Sequence, residues 1–391
     1  MKTSKVFVAI MATAMALAGC TSEKPAEKTG KLQDILLKFS DGSQATRVPV
    51  NEPTIGGKKF QFNSGWLFVA GQTGSIIKAV KINTTGMADH ANNIYLLSEL
   101  EAAQGVQLTG LRAPTDVLVI ANSPVTGTET SLQEIEAKWA DVASQSNYTQ
   151  TVLLGRAPLT PVNSTTKTAT VAIKPLVARI EIRSIEGEAV GAYNTIEFKV
   201  KGIYTNNFYP AMNFRREVCT ASGSTTGADV VNMGSDIVNY VAGPNYPAVL
   251  FDYVAGGLPN SAYSASGKKY TFAANGSTAS YWAYSLIASD VVNAAKMPQI
   301  LIRLGDMILD KGLPTEHNFS AADSYVSIDK FFEAGTTNQV TKLEPGHVYR
   351  IDKITFFSSD FTNNPNESFI DVIAIVQIAN WLDHPINTGV Q

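Results

Sequence analysis

The chain has 391 residues, 45 % hydrophobic and 17 % charged, with a net charge of −3. At roughly 100–200 residues per domain, that length suits two domains with cores of ordinary size. A binder of nucleic acid needs a cationic face for phosphates, and a disordered chain needs high charge and few apolar residues; the balance here points to neither for most of the chain.

The N-terminus reads as an address. Lys2 and Lys5 precede an apolar stretch from Val6 to Ala18, which runs into Leu17-Ala-Gly-Cys20. That stretch is too short for a spanning helix, which needs about 20 residues, so 1–20 is read as a signal peptide. The small residues before Cys20 resemble the lipobox of bacterial lipoproteins, in which the cysteine becomes the acylated N-terminus. Acyl chains anchor because each buried CH₂ contributes roughly 0.8 kcal/mol. Thr21–Gly30 is small, polar and charged, and reads as a tether. Ser22 follows one residue after Cys20's neighbour; the absence of aspartate there favours the outer membrane by analogy with other lipoproteins.

The body reads as strands. Leu32–Phe39 alternates, with Ile35, Leu37 and Phe39 on one face and Asp34 and Lys38 on the other. Further short strands are predicted at 66–70, 76–82 and 117–121. Ser131 and Glu134 form a capping box, with Leu132, Ile135, Trp139 and Val142 following at helical spacing, so one helix is predicted there. Shorter helices are candidates at 97–103, 289–296 and 327–332. The polar loop Asn163–Ala169 places a boundary near 170, within roughly ten residues. In the strand after it, Leu176, Ala178, Ile180 and Ile182 point inward, while Arg179 and Glu181 point out. Strands at 195–203, 300–304, 347–356 and 369–379 continue the pattern. Many short strands with few helices predict a mainly β, sandwich-type fold.

Chemistry is sparse. Two cysteines, Cys20 and Cys219, cannot build a disulfide framework, a four-cysteine zinc site or a CxxC pair. The histidines (His90, His317, His347 and His384) stand singly, and no nucleophile elbow, phosphate loop or dinucleotide fingerprint occurs. Gly56-Gly-Lys-Lys59 reads as a turn, Asp306 and Asp310 as surface acids, and Asn83, Asn163 and Asn275 as chance glycosylation triplets. Cys219 follows Arg215 and Arg216, which would lower a thiol pKa, yet no histidine lies nearby in sequence. Tyr204, Phe208, Tyr209 and Phe214 form an aromatic-rich stretch that suits core packing better than sugar stacking. The reading is non-enzymatic, without catalytic residues, metal or cofactor.

Patches along the whole chain resemble the fimbrillins, the type V pilin family of Gram-negative oral and gut anaerobes. They are the lipobox, the first strand, and a loop with one arginine, Ala45-Thr-Arg-Val-Pro49. Val117–Asn122, Lys174–Ile182, Leu343–Phe356, Asn363–Glu367, the strand Ile370–Ile378 and Trp381 complete the set. The resemblance implies two transthyretin-like β-sandwiches in tandem and a cell-surface, fimbrial location. It divides the chain into 1–20 (signal), 21–47 (tether and removable strand), 48–170 (N-terminal sandwich) and 171–391 (C-terminal sandwich).

The resemblance also implies assembly by strand exchange. An arginine-specific protease cuts between Arg47 and Val48, and the strand bearing Ile35, Leu37 and Phe39 leaves. A C-terminal segment of another subunit then fills the groove. Arg47 is the only arginine between Cys20 and Arg112. The donor candidates are Ile370, Val372, Val376, Ile378, Trp381 and Leu382, although Pro385 removes a ladder donor from the tail. Partners would be other pilin subunits in a homopolymer, accessory subunits, the protease, and outer-membrane lipid through Cys20. Two other readings stay open: a non-polymerising anchor or tip lipoprotein, and a surface glycan-binding lipoprotein.

One expectation concerns the anchor. Cys20→Ala should release the protein from the membrane fraction or stall the precursor. A Cys20→Ala protein that stays membrane-bound like the parent would contradict the lipobox.

Overall fold

A computed structural model describes residues 32–41, 61–146, 150–232, 250–253, 261–266, 268–274, 282–288, 297–319, 324–361 and 373–380. The first half contributes β1 (Leu32–Asp41), β2 (Ser64–Gly71), β3 (Ile76–Asn83), β4 (Ile94–Leu96) and α1 (Leu97–Glu101). After these come β5 (Val106–Arg112), β6 (Pro114–Ala121), α2 (Leu132–Glu136) and β7 (Trp139–Asp141), then β8 (Leu153–Pro158), β9 (Thr160–Pro161) and β10 (Thr166–Pro175).

One sheet runs β4-β3-β2-β6-β8-β10-β1-β5, with β9 also on β10. Strand β10 is the corner: its end pairs with β8, and its earlier residues pair with β1. Inward residues from both ends of this order meet in one core, including Ile35, Leu37, Leu67, Val69, Leu108, Val119 and Val171. The sheet therefore folds over its own apolar face, as a sandwich does.

Strands β2 and β6 are buried on both faces. Phe68, Ala70, Leu118 and Ile120 point away from the first core, into a second one shared with the other half. This explains their near-continuous apolar sequence.

The second half holds β11 (Val177–Ile182), β12 (Ser184–Glu188), β13 (Ile196–Asn206), β14 (Ala211–Asn213) and β15 (Val218–Cys219). Next are β16 (Phe251–Tyr253), β17 (Ser261–Ser266), β18 (Lys269–Ala274), β19 (Trp282–Ile287), β20 (Gln299–Leu309) and β21 (His317–Asn318). Last are β22 (Ser324–Ile328), β23 (Lys330–Glu333), β24 (Gln339–Val340), β25 (His347–Ile351), β26 (Ile354–Phe357) and β27 (Ile373–Asn380). They form sheets β19-β11-β25-β27-β23-β24, β17-β18-β12-β26 and β16-β13-β20-β21, with β22 also on β20. A small sheet, β15-β14-β7, joins the halves directly.

Several expectations change. The predicted helix stops at Glu136, because Trp139–Asp141 pairs with Ala211–Asn213 as a strand. Its start is as predicted: the Glu134 amide donates to the Ser131 hydroxyl at 3.2 Å. Tertiary pairing overrides the helical spacing beyond it, leaving Trp139 42 % exposed. The stretch 327–332, a helix candidate, belongs to β22 and β23, whereas α1 forms within 97–103. The candidate at 289–296 lies outside the described residues. The strand predicted from 347 to 356 is two strands in different sheets. The loop expected over 163–169 is shorter, because β10 already begins at Thr166 and pairs with β1 from there.

The inward face of β11 is as predicted, with Ile180 and Ile182 buried. Its other face is not solvent. Glu181 is fully buried, and its carboxylate lies 2.8 Å from Arg179 Nε and 3.2 Å from Arg350 Nε. Burial lowers the Arg179 pKa, and the Glu181 charge opposes that shift. Removing one member of a buried ion group strands the others, which costs about 3–5 kcal/mol. Arg179→Ser is therefore expected to destabilise the protein by an amount of that order in denaturant melts, alongside Ile180→Asp. A cost for Arg179→Ser below about 1 kcal/mol would place it among exposed ion pairs and contradict this.

Candidate functional site: the slot of the first strand

Strand β1 lies between β10 and β5. It pairs with β10 in parallel, from Asp34 opposite Thr166 to Asp41 opposite Ile173. It pairs with β5 antiparallel, with Ile35 opposite Leu108 and Leu37 opposite Val106. Ile35 and Leu37 are completely buried, and Phe39 packs half-buried against the same core. Burying two such side chains contributes about 3–6 kcal/mol.

The register is keyed by Asp34, which sequence reading placed only on the outer face, and by residues that it did not single out. Between Gln33 and Ile35 the β1–β5 ladder slips at a bulge, and Gly110 there takes φ +72°. The Asp34 carboxylate fills the gap, accepting from Gly110 N and from Gln107 Nε2, both at 3.1 Å. On the other side the Thr168 hydroxyl donates to Leu36 O at 3.0 Å. Gly105, at φ +64°, presses on the strand: a Cβ there would sit 2.2 Å from Leu37 O. Only a glycine permits both that backbone and that approach.

Strand β5 has β1 as its only ladder partner among the described strands. Without β1 the facing edges of β5 and β10 would lose their hydrogen bonds, and an unpaired edge is a template for another strand.

At the other end, β27 is not a loose strand. It pairs antiparallel with β25 and parallel with β23, with Ala374 and Val376 fully buried and Ile378 packed on the same core. Cys20, Arg47, Val48, Ile370, Val372, Trp381 and Leu382 lie outside the described residues, as does Gly56–Lys59.

The remaining candidates are structural. Cys219 is completely buried, and burial pushes its thiol up to about 11, so the neighbouring arginines do not activate it. Asp310 is not a surface acid: it is buried, accepting from Asn194 N at 2.5 Å and Thr195 N at 3.0 Å. The Thr315 hydroxyl and these amides hold its carboxyl below the usual range. Asp306 pairs instead with Lys199 at 2.7 Å and Lys201 at 3.4 Å. The aromatic stretch is core, with Tyr204, Phe208, Tyr209 and Phe214 all buried.

The slot makes a stability ranking. Leu37→Ala should cost about 2–5 kcal/mol, with Gly105→Ala shifting in the same direction, whereas Lys38→Ala should cost less than about 1. Denaturant melts giving Lys38→Ala the larger effect would contradict the face assignment.

No family model matches the chain, and no curated protein sequence matches it. Its fold does match solved structures. A candidate cell adhesion protein from Bacteroides eggerthii superposes with a TM-score of 0.51 at 12 % identity, over 90 % of this chain and 97 % of that one. A fimbrilin from Porphyromonas gingivalis superposes at 0.50 with 14 % identity, over 89 % and 97 %. The chain therefore has the β-sandwich fold of the Bacteroidales fimbrilins and cell adhesion proteins.

Proposed function

We propose that this protein is a structural subunit of a type V pilus, made of two transthyretin-like sandwiches in tandem. It is exported to the outer membrane as a lipoprotein on Cys20, cleaved between Arg47 and Val48, and polymerised by strand exchange. The observation that carries this reading is the position of β1: an N-terminal strand seated between β10 and β5, and the described ladder partner that links β5 to its sheet. Residues 42–60 connect it to the body and contain Arg47. The fold shared with the P. gingivalis fimbrilin supports the same reading. The protein acts by assembly rather than by catalysis.

A specific observation favours a second reading, a non-polymerising anchor or tip. Because β27 is built into its own core, a donor would have to come mainly from 381–391, which includes Pro385.

Two variants test the proposal. Arg47→Ala should keep β1 in place, able to donate a strand but unable to accept one. Deletion of 381–391 should leave a cleavable subunit unable to donate. Mixed after treatment with an arginine-specific protease, the two should give short capped species in sizing and electron microscopy. An Arg47→Ala protein that polymerises as readily as the parent would sink strand exchange. Failure of the cleaved parent to polymerise would favour the anchor or tip reading.

A further inference from the structure

A cleft of about 330 Å³ opens where the two halves meet. The first half supplies Arg156 from β8 and Lys174 from β10; the second supplies Arg215 and Arg216 from the β14–β15 turn. The one acid lining it is Glu136, at the end of α2. Its carboxylate accepts from Arg156 at 2.6 Å and lies 3.5 Å from Arg215 Nε, so it orients two guanidinium groups from opposite halves. Asp116, 3.5 Å from Arg156, is not part of the lining. Lys174 has no acidic partner within 4 Å among the described residues. The turn also holds Arg216 at φ +69°, a left-handed conformation that favours glycine or asparagine. That residue closes the hairpin loop, where Arg216 N donates to Asn213 O and Asn213 N to Glu217 O.

A second hollow of about 240 Å³ adjoins the first across Glu136 and Arg215. Gln133 and Thr225 bring amide and hydroxyl groups to it, and Gly223 forms part of its wall. Glu217 also lines it, lying 3.8 Å from Arg215 Nη1 and accepting from Asn213 Nδ2 at 3.0 Å, so its charge is held by those partners. Trp139 stands beside it: it pairs across the ladder with Asn213, lies against Gly223, and leaves 42 % of its surface exposed. A half-exposed indole next to amide and hydroxyl groups suits the apolar face and hydroxyls of a sugar ring. Paired guanidinium groups and an ammonium suit its carboxylate or sulfate. Clefts at the junction of two packed units are common ligand sites.

We infer that this junction binds an acidic saccharide, with its anionic group among Arg156, Lys174, Arg215 and Arg216 and a neighbouring ring toward Trp139. The inference stands independently of strand exchange, since its readout is ligand affinity and not assembly.

The test is calorimetric titration of the purified protein with tetragalacturonate, and with maltotetraose and inorganic sulfate for comparison. Tetragalacturonate should bind saturably at low salt, about tenfold or more tighter than either. Raising the salt should weaken it, because the charged groups are partly exposed. Lys174→Gln and Arg215→Gln should each weaken binding about fivefold or more, and Trp139→Ala about threefold, with melting temperatures near that of the parent. Absence of saturable binding would overturn the inference. So would equal affinity for maltotetraose, or sulfate binding as tightly as the saccharide. So would full affinity in whichever of Lys174→Gln and Arg215→Gln folds as the parent does.

Discussion

Strand β5 hangs on β1. Among the described strands, β1 is what joins Val106–Arg112 to the rest of its sheet, and it comes from far upstream in sequence. A sheet normally gains its edge strand from a neighbouring hairpin, so loss of that strand and loss of the fold go together. Here the inserted strand is held by two ladders, a bulge filled by the Asp34 carboxylate, and two buried side chains. Those are local interactions. A different strand with a similar alternating face could reproduce most of them.

The division of the cores confines that dependence. Ile35 and Leu37 belong to the first core and have no place in the second. The second core is the one that fastens the halves together, through the outer faces of β2 and β6, through α2, and through the β15-β14-β7 sheet. Opening the β1 slot therefore exposes one apolar layer while the junction remains packed. Val376 and Ala374 of β27 sit in that second core. The groove and the C-terminal strand thus lie in separate packing units, so a change in one need not disturb the other.

Much of this architecture was legible in the sequence. Short apolar runs between turn residues located β2, β3, β6 and β13, and alternation located β1 and the inward face of β11, because a two-residue period marks a strand with one face buried. It failed where a second layer covers the other face. Arg179 and Glu181 alternate with Ile180 as an outward face would, yet they form a buried ion group with Arg350, more than a hundred residues away. Trp139 fits the helical spacing of Leu132 and Ile135, but the chain there pairs with β14, which no local pattern announces. For the candidate site, Ile35, Leu37 and Phe39 were visible. The residues that set their register, Asp34, Gly105 and Gly110, act through contacts spanning some seventy positions, and that role left no one-dimensional trace.

Hydrogen exchange in strand β5 tests the central claim most directly. The amides of Val106–Arg112 that donate across the ladder to β1 should be protected in the intact protein. They should lose that protection in a chain lacking residues 1–47, while amides of β2 and β6 keep theirs. Adding a synthetic peptide of residues 32–41 should restore it. Unchanged protection of Val106–Arg112 in the shortened chain would show that β5 holds its place without β1, and the account of a replaceable strand would fail.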